Sequence, residues 1–173
     1  MFQLNRVDTE AFRKMDKIPV EIVLDNVRSA LNVGSVFRTC DAFGIKKLHL
    51  CGITAVPPHR EILKTALGAD KSVDWQHWND TDGALQFLKN EGYALAGIEQ
   101  IENSVSLEAF NWKASPKIVL VFGNEVEGIS ASVLDMLDVA IEIPQVGTKH
   151  SINVSVCAGI VIWEAFRANF PQL

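Results

Sequence analysis

The alternation of apolar and polar residues changes its period repeatedly along the chain, and each change marks an element. An apolar run over 20–24 stops at Asp25-Asn26 and reads as a strand buried on both faces. Over 33–43 the period becomes helical. Val33, Val36, Phe37, Cys40, Phe43 and Gly44 fall within about a third of a helical wheel, with Ser35, Arg38, Thr39 and Ala42 opposite. The same reading predicts strands over 47–51, 73–75, 93–98, 118–122 and 139–143, and helices over 61–67, 81–91, 130–137 and 154–167. Strands alternating with helices across short loops imply an α/β fold, a mainly parallel sheet with helices on both faces. Ahead of it, residues 1–19 read as a short N-terminal arm in which Leu4, Val7, Phe12 and Met15 stand among charges up to Pro19; residues 20–173 then form a single domain.

The helix predicted over 154–167 changes this picture, because it has almost no polar face. A helix apolar all round must be covered all round, and one sheet cannot do that, so a homodimer is expected. Composition narrows the class further. No apolar run approaches the ~18 residues of a membrane span, and the start is too charged for a secretory signal, so a cytoplasmic protein without membrane contact is expected. Cys40, Cys51 and Cys157 form no close pair, and the four histidines show no ligand spacing, so no disulfide framework and no metal site is predicted. The net charge of −5, from 16 basic and 21 acidic residues, opposes a nucleic-acid partner. A local patch drawn from Arg28, Arg38, Lys46, Lys47, Arg60, Lys64 and Lys149 would still meet phosphates.

Three polar clusters follow predicted strands, at the strand ends where ligands collect in open α/β sheets. The first, over 26–39, holds Asn32, Gly34 and Arg38. Helix capping would account for Asn32 and a solvated helix face for Arg38. The second, Gly123-Asn124-Glu125-Val126-Glu127-Gly128, has two glycines around two carboxylates and needs unusual backbone angles, either for a tight turn or for close approach of a ligand. It is neither a dinucleotide fingerprint nor a P-loop. The third, over 143–156, runs from Ile143-Pro144 through Gly147 to Ser151, Ile152, Asn153 and Ser155. Ser151 or Asn153 would cap the last helix, and His150 has no visible partner that would make it a base.

In this order the clusters resemble the SpoU/TrmH branch of the SPOUT methyltransferases over 20–167. Asn32, Gly34 and Arg38 match the family's first motif, Gly123, Glu125 and Gly128 its second, and Ile143-Pro144, Gly147, Ser151, Asn153 and Ser155 its third. Gln145 and Ile152 replace a methionine and a leucine. The resemblance implies an S-adenosylmethionine-dependent RNA methyltransferase acting on a ribose 2′-hydroxyl of tRNA or rRNA, with compact members inclining it to tRNA. It also implies a deep C-terminal trefoil knot over 123–152, against the ordinary rule that chains do not thread their own loops. Main-chain groups of Gly123, Ile143 and Ile152 would then hold the cofactor, with Gly97, Glu99, Gly128 and Gly147 nearby.

The resemblance assigns activation of the hydroxyl to Arg38. A guanidinium stays protonated above about pH 12, so an RNA phosphate anchor and charge stabiliser suits it better than a general base. Asn32, Ser151 and Asn153 would supply neutral hydrogen bonds, and Glu125 would hold the loop geometry. In dimers of the family the arginine works in a site completed by the other subunit. The competing readings are a catalytically silent cofactor- or RNA-binding dimer, which the acidic net charge favours, and a base methyltransferase of another SPOUT branch.

Overall fold

Parallel neighbours cannot be joined by hairpins, and the chain supplies helical crossovers instead. In the computed structural model, which describes residues 7–148 and 151–169, the order is α1 (Thr9–Lys14), β1 (Ile18–Asp25), α2 (Ala30–Ala42), β2 (Ile45–Cys51), α3 (Arg60–Ala66), α4 (Ala69–Ser72), β3 (Trp75–Trp78), α5 (Thr81–Asn90), β4 (Ala94–Ile98), β5 (Val105–Ser106), β6 (Ile118–Phe122), α6 (Ala131–Leu134), β7 (Val139–Glu142) and α7 (Val154–Asn169). The strands form one sheet in the order β3-β2-β1-β6-β4-β7-β5, and every neighbouring pair is parallel. The expected α/β architecture is therefore observed.

Alternate residues of the central strands feed two cores. Ile22, Leu24, Leu48, Leu120 and Phe122 face Val33, Phe37, Ala158 and Ile162 of α2 and α7. Val23, Leu95, Val119 and Val121 face Leu85 and Leu88 of α5 and Val133 beyond it. Each fully buried Val, Leu, Ile or Phe among them is worth roughly 1.5–3 kcal/mol. None of the helices among the described residues is long and apolar enough to cross a membrane.

The differences from the sequence expectation lie at edges and ends. The edge strand β3 spans Trp75–Trp78, not 73–75, because 69–72 turns as α4 and the strand pairs only with Leu48–Cys51 of β2. Helix α6 closes early: the amides of Met136 and Leu137 bond to residues three back, Val133 and Leu134, tightening the last turn. Two-residue β5 is too short to carry any period. Residues 1–6 of the arm, Leu4 among them, lie outside the described residues; Thr9–Lys14 form α1, capped by the Asp8 carboxylate on the Ala11 amide at 2.8 Å, and Ile18 and Pro19 already belong to β1.

One polar network is buried in the second core. His49 Nε2 meets the Glu21 carboxylate at 2.6 Å, the Tyr93 hydroxyl donates to its other oxygen, and Lys46 Nζ lies 3.3 Å away. The Trp78 indole N–H donates to His49 Nδ1 at 2.9 Å, so the ring carries its proton on Nε2 and donates to Glu21. Burial pushes the Glu21 carboxyl up, but hydrogen bonds from His49 and Tyr93 and the adjacent Lys46 charge outweigh it and hold the group at about 2, below its ordinary 4.5. The folded state thus binds fewer protons than the unfolded chain between those values. Stability on the order of 3 kcal/mol is present in full above the ordinary value and is lost as pH falls towards 2. Glu21→Gln should flatten this limb of the profile in urea unfolding at stepped pH; an unchanged limb would assign it to another group.

Candidate active site

The C-terminal ends of β4, β6 and β7 open into a cleft of about 530 Å³. Its walls come from 98–101, 122–129, 141–143 and 151–154, with Leu134, Gln145 and Cys157. The loop after β6 is built by backbone contact. A Cβ on Gly123 would stand 2.3 Å from Gly128 C and Ile129 N, so only glycine lets the two limbs of the loop touch. Asn124 and Gly128 exchange two backbone hydrogen bonds of 2.9 Å, and Gly128 takes a φ of 70°. The Asn124 side chain ties the loop both ways, donating to Asn26 O at 2.8 Å and accepting from the amides of Val126 and Glu127 at 2.8 and 3.2 Å. From β4, the Glu99 carboxylate accepts the Ile129 amide at 3.1 Å.

A second set of bonds joins all three sequence clusters. Glu125 accepts from the amides of Arg28 (2.8 Å) and Ser29 (3.1 Å) and from Asn32 Nδ2 (3.0 Å). Asn32 Oδ1 in turn accepts from Asn153 Nδ2 at 3.2 Å and Ser155 Oγ at 3.4 Å. Burial raises the Glu125 carboxyl, yet the bonds from the Arg28 amide, Asn32 and the Ser29 amide prevail and hold it below the usual carboxylate range. It is therefore a fixed anion at neutral pH, not an acid or base.

The expected capping role of Asn32 is not what the structure shows. Helix α2 begins at Ala30, three residues before the periodic pattern does, and Ser29 caps it by accepting the Asn32 amide at 3.3 Å. This leaves the Asn32 side chain for Glu125. Asn153 does cap α7, accepting the amides of Ser155 and Val156 at 2.9 and 3.4 Å, while its amide group reaches Asn32.

Ser151, Ile152, Ile143, Gly123, Gly128 and Glu99 all line the cleft. Gly97 faces away from it, where a Cβ would meet Leu137 at 2.3 Å and Ile129 at 3.0 Å, and Gly147 has open space around it. Arg38 is exposed on α2 outside the cleft lining, in a shallow groove beside α3. His150 and Lys149 lie outside the described residues. No group of three or more potential metal ligands occurs among the described residues.

The structure adds polar residues that sequence reading passed over. Asp25, 1% exposed at the end of β1, accepts from Asn26, from Thr81 at the start of α5 and from the Ser130 amide ahead of α6, tying those three segments together. Asn124 and Asp25 carry a weak signal in sequence, since each is a polar residue directly at the end of an apolar strand.

The sequence profile of the SpoU rRNA Methylase family matches residues 19–163. A TrmH-family relative from Staphylococcus saprophyticus is 30% identical over 164 residues, which is 92% of this chain and 65% of that protein. The tRNA (guanosine(18)-2′-O)-methyltransferase of Thermus thermophilus is 34% identical over 147 residues, covering 84% of this chain and 73% of the enzyme. The AdoMet-bound rRNA methyltransferase of Sinorhizobium meliloti superposes with a TM-score of 0.81 at 25% identity, covering 90% of this chain and 59% of that one. The match runs through all three clusters and both halves of the sheet, and the chain belongs to the SpoU rRNA methylase family.

Proposed function

We propose that this protein is an S-adenosylmethionine-dependent RNA methyltransferase that acts on a ribose 2′-hydroxyl. The observation that carries the reading is the bonded series Glu125–Asn32–Asn153/Ser155, which draws the signature polar groups of three distant segments to the rim of one cleft. The Thermus relative's own reaction is a 2′-O-methylation of tRNA, which supports ribose as the target and tRNA as the first RNA to test.

The cleft fits the cofactor: its volume of about 530 Å³ is in the range of small-molecule sites, ~300–1,000 Å³, and the close approach at Gly123 exposes main chain rather than side chains. Backbone groups of Gly123, Ile143 and Ile152 hold it, with Glu99 and Gly128 shaping the wall, and Gly97 and Gly147 acting through the strand and loop they belong to. When bound, the cofactor supplies an electrophilic methyl group. Glu125 and Asn32 keep the loops in register, and Ser151 and Asn153 offer neutral hydrogen bonds to the ribose. Arg38 anchors RNA phosphate and stabilises negative charge developing on the 2′-oxygen. Its position outside the lining of its own cleft supports a site completed by a second subunit. The trefoil threading of 123–152 and a cytoplasmic location belong to the same reading.

A homodimer through α7 is part of this proposal. Val154, Ala158, Val161, Ile162 and Ala165 are buried within the chain, but Val156, Ile160 and Trp163 are 52%, 38% and 43% exposed. At spacings of four and three they form one apolar stripe, suited to a second copy of the same stripe. Val156→Asp should yield monomer or aggregate by light scattering, since an unpaired buried charge costs several kcal/mol; a wild-type monomer at micromolar concentration would refute the dimer.

Calorimetry with S-adenosylmethionine and transfer of a labelled methyl group to tRNA and rRNA test the function, with alkali resistance of the modified linkage as the mark of 2′-O-methylation. No binding at roughly millimolar cofactor by folded protein would sink the proposal. Binding without transfer would favour a silent binder, and alkali-labile methylated linkages a base methyltransferase.

A further inference from the structure

The cleft and the outer groove carry opposite charge. Four carboxylates, Glu99, Glu125, Glu127 and Glu142, line the cleft, with no lysine or arginine among its described lining residues. The groove between α2 and α3, about 460 Å³, is lined by Arg38 and Lys64 with Ser35, Thr39, Thr65, Ala42 and Phe43, and by no carboxylate. In a chain of net charge −5, a polyanion gains nothing from the overall field and must be met locally.

Two other cations of the sequence patch, Lys46 and Lys47, are already engaged. Lys46 lies on Tyr93 and Glu21, and Lys47 donates to Gln76 at 2.8 Å. Arg38 and Lys64 have no hydrogen bond or ion pair among the described residues. The hydroxyls beside them are spent: Ser35 and Thr65 both donate to Leu31 O at 2.9 Å, and Thr39 donates to Ser35 O at 3.1 Å. The free donors of the groove are therefore its two cations, the side chains that meet backbone phosphates.

Gly34 explains why the two cations share a groove. A Cβ there would lie 2.1 Å from Thr65 Oγ1 and 2.4 Å from Ile62 O, so only glycine lets α3 close on α2. Ile62, fully buried on α3, and the Thr65–Leu31 bond lock the approach. The stem of Lys64 is thus carried on a rigid element beside Arg38.

We propose that the α2–α3 groove is an RNA backbone subsite in which Lys64 is a phosphate-binding residue acting beside Arg38, and that Gly34 is the residue that builds it. This rests on the RNA-methyltransferase reading above. Lys64 positions the RNA and takes no part in the transfer, so its loss acts on RNA binding and not on the cofactor.

The test is binding of mixed tRNA by fluorescence anisotropy between about 50 and 200 mM salt, with cofactor affinity measured in parallel. Lys64→Ala should weaken RNA binding roughly fivefold and reduce the slope of log affinity against log salt by about 0.7–0.9, one phosphate contact. The KM for RNA should rise by a similar factor with kcat far less affected, and cofactor affinity should stay at the wild-type value. Lys64→Arg should restore both affinity and slope, which a merely structural lysine would not require. A Lys64→Ala protein with wild-type RNA affinity and slope overturns the proposal, as does a wild type that binds no RNA. A wild type that binds RNA with the expected Lys64 dependence but transfers no methyl group would overturn the enzymatic reading and leave the groove standing.

Discussion

Methyl transfer by Arg38→Ala is expected to fall at least 10²–10³-fold, roughly 3–4 kcal/mol of transition-state energy, while cofactor affinity stays unchanged. The two readouts separate because Arg38 sits on the exposed face of α2 outside the cleft lining. The hydroxyl must lose its proton and turn its oxygen towards the methyl carbon, and a preorganised charge is worth most where negative charge develops. Arg38→Lys should recover little, because a point charge lacks the planar fork that grips two phosphate oxygens. That failure distinguishes it from Lys64, where either cation serves. Turnover by Arg38→Ala within threefold of wild type would make Arg38 an ordinary surface arginine.

Gly123→Ala should weaken cofactor binding by up to about 30–150-fold. The added methyl would meet backbone on two residues, 2.3 Å from Gly128 C and Ile129 N and 2.5 Å from Gly128 O, with no flexible side-chain tip to give way. The loop must open, breaking the paired Asn124–Gly128 bonds and displacing the amide that Glu99 holds. Overpacking of this kind costs roughly 2–3 kcal/mol, which is about 30–150-fold in affinity if it falls wholly on the bound state. Part of it will appear as lower melting temperature, on the order of 2–4 °C per kcal/mol for a chain of this size. Calorimetry on the folded variant decides the matter: near wild-type affinity would mean that the cofactor does not depend on this turn.

The parallel sheet was legible because buried strands and amphipathic helices differ in period, and β6, Ile118–Phe122, is apolar at every position. The edge strands were not. The register of β3 depends on its single partner β2, and β5 is two residues added to β7. The three clusters were visible as motifs, yet their connection was not: Glu125 and Asn32 are 93 positions apart, and Asn32 and Asn153 are 121. The role of Asn32 shows the limit. Sequence offered a helix cap at the start of the periodic pattern, whereas Ser29 caps the helix and frees Asn32 to join Glu125 to Asn153.

From local period and residue type alone follow the α/β class, the apolar last helix and the three polar clusters at strand ends, because these properties are set within a few residues of each position. Tertiary structure alone decided which face of α7 stays uncovered, that Glu125 is a fixed anion held by amides from another strand end, and that acidic and basic groups are sorted into a cleft and a separate groove. Net charge adds all sites without regard to place, so a chain of −5 conceals a groove with two free cations. Gly34 needed the same information: its meaning lies in the 2.1 Å separating its missing Cβ from Thr65 on another helix, a distance that no local pattern encodes.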